Sequence, residues 1–509
     1  MAISTTIPES WKLPLFWATV DGTRAGNLTE VGPALLVGQM FTTGAAAGTA
    51  TLNVAVPVGS LALAGNLFGV GSMLYRMVYA FFNSNVTQEL WALPVADPSA
   101  GTFAEGGINF AGTSVTGSGV FSLYIAGQLV QWTIYSTDTA ATIAANCVAA
   151  ANAIPSLPVT AALAATNSPD VLFTCKWKGL TGNDITLIVN YLGLYGGQVT
   201  PAGVAYAITP IASGTGEPNF VNAISAIQTQ EFDYVGMPYT DTASMTSWNT
   251  EYGFSSGGRW NYVRQQYGFI VNAFRDDYAD ALEWGLSQNS PVMSTMVIEQ
   301  GAPSPVWEWG AAYCALAALG FSDDPARPLQ TLEMIGIMPA LTQNRFSLTQ
   351  LNNLVNSGLA IQATAPDGNP MIMTEQTQYQ FNSFGQADTA FGLLTVLATL
   401  QELLKRMRAA ITTKYPRVKL VPDGTKLGPG QAAVTPTDLK AELISEFGLA
   451  MYDGLVADLD DFKSNLIVEI DDNNPNRVNV LWPPQLAGQL RQFAVLAQFR
   501  LEYPPISTS

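Results

Sequence analysis

Residues 267–321 carry the clearest signal of the fold: YGFIVNAFRDDYADALEWGLSQNSPVMSTMVIEQGAPSPVWEWGAAYCALAALGF. Two short apolar runs, at 267–274 and 294–300, have the length and composition of buried strands. Each is followed by a helical pattern, at 276–288 and 306–321. Because strands that alternate with helices pack as a parallel sheet between helical layers, this stretch predicts a three-layer α/β core with a largely parallel sheet.

The same alternation appears on both sides of a long interruption. The elements predicted before it are a strand, a helix and a strand at 32–40, 71–83 and 87–95, and those after it are a helix and a strand at 220–228 and 231–239. Between Asp97 and Ser213 the composition shifts to Ala, Thr and Gly, with a hairpin predicted at 119–135, a helix at 139–153, and strands at 170–179 and 184–193.

We interpret residues 97–213 as an inserted α+β domain on the outside of the protein. The discontinuous core then comprises 31–96 and 214–509, and residues 1–30 form an N-terminal arm. Insertions tolerate change when few contacts cross them, so we expect removal of 97–213 to leave the rest folded.

A stiff connector, SDDPARPLQTLEMIGI, follows the last helix of the opening stretch at 322–337. Pro325 and Pro328 each fix φ and push the preceding residue out of the helical region, so the chain from Asp324 onward is predicted to be extended or turned. The connector contains no nucleophile, base or glycine cradle. Its one cation, Arg327, is expected to pair with Asp324 or a neighbouring acid.

The C-terminal third contains two predicted helices, a hairpin and a last strand. The first helix covers 389–411. The second begins at Thr435, which is a suitable N-cap before Pro436, and Asp438 completes a capping box. The hairpin pairs 465–470 with 477–483, and the alternating apolar residues of 491–503 predict a terminal strand.

Composition favours a protein that buries its surface against other chains. Of the 509 residues, 48% are hydrophobic and only 12% are charged, about half the usual charged share. Large internal cores are the alternative explanation. The net charge of −17 disfavours general binding to nucleic acid or anionic membranes. The beginning, MAISTTIPESWKLP, lacks the pattern of a signal peptide, so we expect a soluble protein without a secretion signal.

Most catalytic and cofactor chemistry is excluded by the sequence. The chain has no histidine, which removes Ser-His-Asp and Cys-His arrangements and histidine metal sites. Gly69 and Gly71 lack the third glycine of a dinucleotide-binding turn, and they indicate a helix that starts at a glycine turn. The three cysteines show no CxxC spacing. We therefore expect no catalytic residues, no cofactor and no bound metal.

Paired acids are the remaining chemical candidates. Asp276 with Asp277, and Asp460 with Asp461, are residue types that serve glycoside hydrolysis or bind divalent cations. Neighbouring acids point in different directions, however. The tract DDNNPNR at 471–477 lacks the spaced ligands of a calcium loop and is interpreted as a solvated hairpin turn.

Charge is unevenly distributed in the C-terminal third. Between residues 405 and 419 there are six cations and no acid, whereas residues 442–472 contain nine acids and one base. One interpretation is that the two tracts pair within one subunit or are solvated helix faces. The other is that the basic tract of one copy contacts an acidic tract of the next, a head-to-tail contact that builds rings or helical filaments.

Several long motifs resemble those of one family. In chain order they are ELWALPV, PYTD, GRWNY, DPARPLQTL, KYPRVKLVPDGT and DDFKSNLIVEIDDNNPNRVNVLWPP, together with GNDITL in the predicted insertion. They resemble the tail sheath proteins of contractile bacteriophages, specifically the Mu-type branch. The Ala/Gly-rich stretch from Gly44 to Gly71 departs from the family pattern.

The resemblance implies a structural virion protein of the tail, made in the host cytoplasm. Its partners would be itself, in hexameric rings stacked helically, the tail tube protein, and baseplate and tail terminator proteins. Contraction would drive the tube through the host envelope, without direct nucleic-acid contact or stable membrane insertion. Terminal arms would add strands to sheets of neighbouring subunits. Other virion proteins of the tail tube, baseplate or capsid, and a carbohydrate-cleaving virion enzyme, are the alternatives.

Two groups of residues are the interface candidates. The basic tract is expected to contact an acidic surface, and the terminal arms are expected to reach neighbouring subunits. The candidates are Lys405, Arg406, Arg408, Lys414, Arg417 and Lys419 in the basic tract, Phe493, Val495, Phe499 and Leu501 in the last strand, and Trp11 and Trp17 in the N-terminal arm.

Overall fold

The computed structural model describes residues 32–426 and 428–501. The predicted N-terminal arm, residues 1–30, lies outside this range. The first elements are β1 (Ala34–Gln39), β2 (Val56–Pro57), α1 (Leu61–Phe68), α2 (Met73–Ser84) and β3 (Leu90–Val95). The predicted strand–helix–strand order is confirmed, and α2 begins at a glycine turn as expected, with Gly71 at φ 88° and the Ser72 hydroxyl as its cap. Helix α1, which Ser60 caps, was not predicted in the Ala/Gly-rich stretch.

The segment between Asp97 and Ser213 forms two antiparallel sheets and a helix. Its elements are β4 (Phe103–Asn109), β5 (Gly119–Ile125), β6 (Gln128–Ile134), α3 (Ala140–Asn152), β7 (Val159–Leu163), β8 (Asp170–Lys178), β9 (Leu187–Val189) and β10 (Ala207–Ala212). The sheets have the orders β10-β4-β8-β7 and β6-β5-β9. The predicted hairpin, helix and first strand are confirmed. The strand predicted at 184–193 is limited to β9, because short 3-10 turns flank it at Leu180–Asp184 and Leu194–Gly196.

The chain then returns to the strand–helix alternation. The elements are α4 (Val221–Ala226), β11 (Tyr234–Gly236), α5 (Thr242–Tyr252), β12 (Phe269–Asp276), α6 (Tyr278–Leu286), β13 (Met293–Glu299), α7 (Val306–Asp323), α8 (Leu348–Asn356), β14 (Ile361–Thr364) and β15 (Pro370–Thr374). Helix α7 is apolar on all sides and almost entirely buried, as its sequence predicts for a core helix.

A six-stranded mixed sheet forms the centre of the fold, in the order β13-β12-β11-β1-β3-β2. The five strands from β13 to β3 are parallel, and β2 pairs with β3 in the antiparallel direction. The predicted largely parallel sheet is therefore confirmed. Every residue of β1 and β13 is buried, which is typical of parallel strands covered on both faces.

The connector after α7 behaves as its prolines predict. The helix ends at Asp323, and Asp324 is extended with φ −154° and ψ 106°. Arg327 pairs with Asp323 rather than Asp324, at 3.8 Å, and both side chains are more than 70% exposed. An exposed pair of this kind contributes little to stability, so the two prolines determine the path of the connector.

The C-terminal third contains three helices and several short strands. They are α9 (Leu394–Lys414), β16 (Lys419–Leu420), β17 (Ala433–Val434), α10 (Pro436–Tyr452), β18 (Val456–Ala457), α11 (Leu459–Asn465), β19 (Ile467–Asp471), β20 (Asn474–Leu481) and β21 (Gln485–Leu486). The capping box of Thr435 and Asp438 is confirmed, and so is the hairpin, formed by β19 and β20. Helix α9 starts five residues later than predicted, because Leu393 bridges Gln376 and the Leu394 N–H donates to the Glu375 carbonyl.

The segment predicted as a terminal strand, 491–503, forms no strand in the isolated chain as far as Leu501, where the described residues end, and its pairing with a neighbouring subunit stays a prediction. Residues 491–501 are irregular and almost entirely exposed. The alternative that this segment pairs within its own subunit is therefore contradicted over those residues. Alternation alone cannot form a strand without a partner for its backbone groups.

One hydrophobic cluster extends through the central sheet and the 97–213 segment. It includes Leu36 and Trp307 of the core as well as Phe121 and Trp177 of the segment. The Trp177 and Trp307 rings meet edge to face with centroids 5.3 Å apart. The predicted boundaries separate sheets, but the apolar core is continuous across them.

Candidate interaction surfaces

The paired acids occupy helix starts and turns. The carboxylate oxygens of Asp276, Asp277 and Asp280 lie within 4.8 Å of one another at the start of α6. Asp277 caps this helix by accepting from the Ala279 and Asp280 N–H groups, and Asp280 lies in the first turn. Acids are favourable there because the first-turn N–H groups are partly positive, which explains the cluster without a ligand.

The second acid pair and the DDNNPNR tract have similar structural roles. Asp460 and Asp461 lie in the first turn of α11, and Lys463 pairs with Asp460 at 3.5 Å. Asp471 accepts from the Asn473 and Asn474 N–H groups, closing the turn between β19 and β20. The interpretation of this tract as a hairpin turn is confirmed.

Lys405 is tied to the core of its own subunit. Its Nζ donates to both carboxylate oxygens of Asp233, at 2.7 and 2.9 Å. Asp233 is buried at the start of β11; desolvation raises its pKa, and the charge of Lys405 opposes that rise. A buried carboxylate needs such a partner, so Lys405 is occupied within the chain.

Two further cations of the tract join α9 to α10 and its end. Arg406 donates to Glu402 and to Asp453, which follows α10. Lys414 donates to Glu442 and lies 3.6 Å from Glu446. Pairing between the basic and acidic tracts within one subunit therefore accounts for part of the charge pattern.

The other three cations of the tract are exposed and, unlike Lys414, do not pair with an acid of the described residues. Arg408 donates to the Gln265 carbonyl at 3.3 Å and Lys419 to the Gln431 side chain at 3.1 Å, and Arg417 is exposed. None of the three lies within 4.0 Å of a carboxylate in residues 32–426 and 428–501. On the acidic side, Asp461, Glu469 and Asp472 are likewise exposed.

The C-terminal candidates form an exposed apolar surface. Phe493, Val495, Phe499 and Leu501 are between 69% and 93% exposed. Such a run of large apolar side chains typically marks a surface that a partner covers. Trp11 and Trp17 lie outside the described residues.

The β19–β20 hairpin presents further apolar groups. Ile467 and Leu481, which pair across it, are 49% and 58% exposed, and Val480 is 43% exposed. The hairpin is a sheet of two strands. Two-stranded hairpins are marginal by themselves and leave backbone groups along their outer edges that another strand can pair with.

Buried ion pairs were missed by sequence reasoning. Arg259 of the GRWNY motif is fully buried, donates to Glu251 at 2.9 Å, and also donates to the Gln230 and Ile227 carbonyls at 2.7 and 2.8 Å. Arg76 of α2 pairs with Glu308 of α7. For Arg76 and Glu308 the available signal was a single charge within an otherwise apolar stretch, since such a charge is buried only with a partner; the stretch around Arg259 is polar and gave no such signal.

Arg491 belongs to the same class. It pairs with Glu375, whose side chain is 0% exposed, at the point where the C-terminal segment leaves the body. No sequence pattern linked these two residues, which are 116 positions apart.

A carboxylate with an unusual environment, Glu217, lies between β10 and α4. Burial raises the pKa of Glu217 to about 8, and the charges of Asp241 and Asp184 act in the same direction. Burial also raises the pKa of Asp184, to about 6. Among the described residues, Glu217 Oε2 and Asp241 Oδ2 are buried without a hydrogen-bond partner. The raised pKa makes stability depend on pH and requires no catalytic role.

Comparison with known proteins identifies the family. Residues 213–378 match a family model described as the phage tail sheath protein central domain, and residues 386–500 match the phage tail sheath C-terminal domain. The Mu-like prophage FluMu tail sheath protein of Haemophilus influenzae is 35% identical over 504 residues, which are 98% of this chain and 100% of that protein. The chain belongs to the phage tail sheath family. It is a structural subunit of a contractile phage tail sheath and thus a virion component.

Solved structures of other sheath proteins are more distant. The sheath tail protein of Desulfitobacterium hafniense is 11% identical, with a TM-score of 0.47 over 94% of this chain and 97% of that chain. The helical sheath of the anti-feeding prophage in its contracted state is 8% identical, with a TM-score of 0.45 over 97% and 100% of the two chains. Among the described helices of the sheath subunit, none combines the length and apolar character that a bilayer span requires.

Proposed function

We propose that this sheath subunit polymerises around a tail tube and that contraction of the polymer drives the tube through the host envelope. The observation that carries the proposal is the exposed apolar segment of residues 493–501, which has no partner surface within the described chain. Burying apolar surface is favourable by about 25 cal/mol per Å², so these side chains would be stabilised by contact with a neighbouring subunit.

In this proposal the segment adds as a strand to the β19–β20 hairpin of a neighbour. The hairpin offers backbone groups for a ladder and exposed apolar residues, Ile467 and Leu481, against which alternate side chains can pack. Each backbone hydrogen bond contributes only about 1 kcal/mol net, but several bonds together with apolar burial make a firm and reversible link. The N-terminal arm, residues 1–30, is proposed to join the same sheet.

Ionic contacts between subunits are a second part of the proposal. The exposed Arg408, Arg417 and Lys419 would face an acidic surface, either of the tail tube or of a neighbouring subunit that presents Asp461, Glu469 and Asp472. Lys405, Arg406 and Lys414 are less suited to this role because each already pairs with an acid of its own chain.

We further infer a three-layer core that carries the 97–213 segment on the outside of the sheath. In support of the layers, α7 packs at Gly236, where a Cβ would meet Cys314 at 3.3 Å, while the Phe274 and Trp284 rings stack at 4.3 Å between β12 and α6. The central-domain match begins at residue 213, next to the proposed boundary. Baseplate, tail tube and terminator proteins would be the other partners, assembly would occur in the host cytoplasm, and no enzymatic role is proposed.

Electron microscopy of purified protein tests the polymerisation. We expect the full chain to form sleeves without nucleotide or metal, and a chain that ends at Gln492 to remain folded but form none. Truncation after Gln489 would be a poorer test, because it also removes Arg491 and leaves buried Glu375 without its partner. Normal sleeves from the chain that ends at Gln492 would refute the proposed link, and a full chain that stays monomeric at high concentration would refute polymerisation.

A further inference from the structure

The C-terminal segment leaves the body of the subunit at a buried ion pair. Glu375 directly follows β15 and its side chain is 0% exposed. Arg491 donates through Nη1 to Glu375 Oε2 at 2.9 Å and through Nη2 to Oε1, so both carboxylate oxygens are engaged. A planar guanidinium that meets a carboxylate through two bonds is held in direction as well as in position.

Two further contacts hold the chain just before this pair. The Gln489 side chain donates to the Ala326 carbonyl at 2.8 Å and accepts from Arg491 Nε at 2.8 Å. Ala326 lies in the turn of the proline connector, which is itself stiff. The Ala487 N–H donates to the Leu455 carbonyl at 3.0 Å, next to the pairing of β21 with β18. The chain is therefore fixed as far as Arg491.

The contacts change abruptly after Arg491. Every residue from Gln492 to Leu501 is exposed, whereas Arg491 is 19% exposed at its side chain. The boundary between fixed and free chain thus lies between two adjacent residues. Arg491 supplies the last side chain that joins the segment to the body within the described residues.

We propose that Arg491 and Glu375 are positioning residues for assembly, which fix the origin and the initial direction of the C-terminal segment so that movement between subunits occurs only beyond Gln492. This inference rests on the proposed function of the segment as a link to a neighbour. A fixed origin raises the effective concentration of the segment at its target, because fewer directions are sampled. A link that starts at a rigid point also transmits the rotation of one subunit to the next.

The alternative role is stability alone, and the two roles predict different behaviour of a double variant. Removing one partner of a buried pair leaves an uncompensated charge, which is destabilising whatever the pair does. Replacing both partners by apolar residues of similar volume is often neutral or stabilising. The double variant E375M/R491M therefore removes the direction of the segment while sparing the fold.

We expect these variants to change the Tm and the yield of sleeves independently of each other. We expect R491M to have a lower Tm than the wild type and to form few sleeves. E375M/R491M should regain a Tm near that of the wild type and yet still form few or irregular sleeves. R491K, which keeps the charge but not the paired geometry, should fall between R491M and the wild type in sleeve yield. Sleeve formation by E375M/R491M at the wild-type yield would overturn the proposal.

A measurement on the unassembled subunit keeps the inference separate from the proposed function. All three cysteines are buried, so spin labels can be directed to introduced Cys residues at Thr246 and Gln492, which are exposed. We expect a narrow distribution of label distances with the pair intact and a broad one in E375M/R491M. Equally narrow distributions would overturn the inference. If the distribution broadens but the chain that ends at Gln492 still assembles, the anchor stands and the proposed link between subunits fails.

Discussion

At the scale of single residues, Glu217 is a carboxylic acid whose pKa lies well above its ordinary value. Desolvation and two neighbouring acids raise its pKa to about 8, from an ordinary value near 4.5. The position of Asp241 beside Glu217 is fixed by its Oδ1, which caps α5 by accepting from the Ala243 and Ser244 N–H groups. Glu217 therefore binds a proton when the protein folds at neutral pH, and this ties stability to pH.

The direction of that dependence follows from the raised pKa. The contribution of Glu217 is fully present below about pH 4.5 and is lost as pH rises through about 8, because the folded state must then hold an unpaired buried charge. We expect E217Q to be more stable than the wild type by about 1 kcal/mol at pH 8, allowing for solvent screening, and little different at pH 5. Thermal unfolding at the two pH values measures this. E283Q, which alters an exposed carboxylate on α6, is the control, and a pH-independent effect of E217Q would contradict the assignment.

At the scale of elements, the basic tract of α9 and the strand after it divides into an inner and an outer set of charges. Lys405 pairs with Asp233 just before β11, Arg406 with Asp453 at the end of α10, and Lys414 with Glu442 of α10. Arg408 and Arg417 are exposed and pair with no acid of the described residues. Reversing Arg406 would place an acid beside Glu402 and Asp453 of its own subunit, so it would disturb the fold as well as any contact outside it.

Reversal of the outer charges tests the contact between subunits. We expect R408E/R417E to leave the Tm within about 1 °C of the wild type, since exposed charges contribute little, and to reduce assembly or tube attachment. R408Q/R417Q should show a smaller loss, and raising the salt concentration should weaken wild-type assembly because charges are screened over about 8 Å at physiological ionic strength. Sedimentation measures the yield of sleeves from both variants and from the wild type at raised salt. A wild-type yield from R408E/R417E would identify the tract as a solvated face.

Elements with strong periodicity could be predicted from sequence, and those that depend on distant partners could not. The runs that became β1, β12 and β13 are mainly apolar, so their burial in a parallel sheet could be predicted from the sequence. Strands β4 and β10 contain Gly, Ala and Thr, and their sheet forms only because β8 lies between β4 and β7.

The candidate surfaces were predictable to a similar extent. Alternation singled out the apolar positions of 493–501 as interface candidates; they are exposed and form no strand in the isolated chain as far as Leu501, and their role in an interface stays a prediction. Which cations are free could not be known, because Lys405 and Asp233 are 172 positions apart and meet only through the fold. The same reason hid the pair of Arg491 and Glu375.

At the scale of the whole molecule, the 97–213 segment is joined to the core by buried polar contacts as well as by the shared apolar cluster. Arg76 of α2 donates to the Ala126 and Ser156 carbonyls, at 2.9 and 3.2 Å. Arg275 of β12 donates to the Asp184 carbonyl at 2.6 Å. These contacts argue against the expectation that the segment can be removed without loss.

Excision of 97–213 with a short linker tests how far the segment belongs to the core. The excision would leave the N–H donors of Arg76 and Arg275 without these carbonyl partners. Each buried group left unsatisfied destabilises the fold by about 1–3 kcal/mol. The excision would also expose Trp307, which packs on Trp177. We expect a remainder that unfolds without a cooperative transition or aggregates, which calorimetry and size-exclusion chromatography would show. Deletion of the exposed turn Leu194–Gly196 is the control and should leave the Tm nearly unchanged, because its residues are not buried. A cooperative Tm near that of the full chain after excision would instead show that the core folds independently of the segment, with water replacing the lost carbonyls as partners of the arginines.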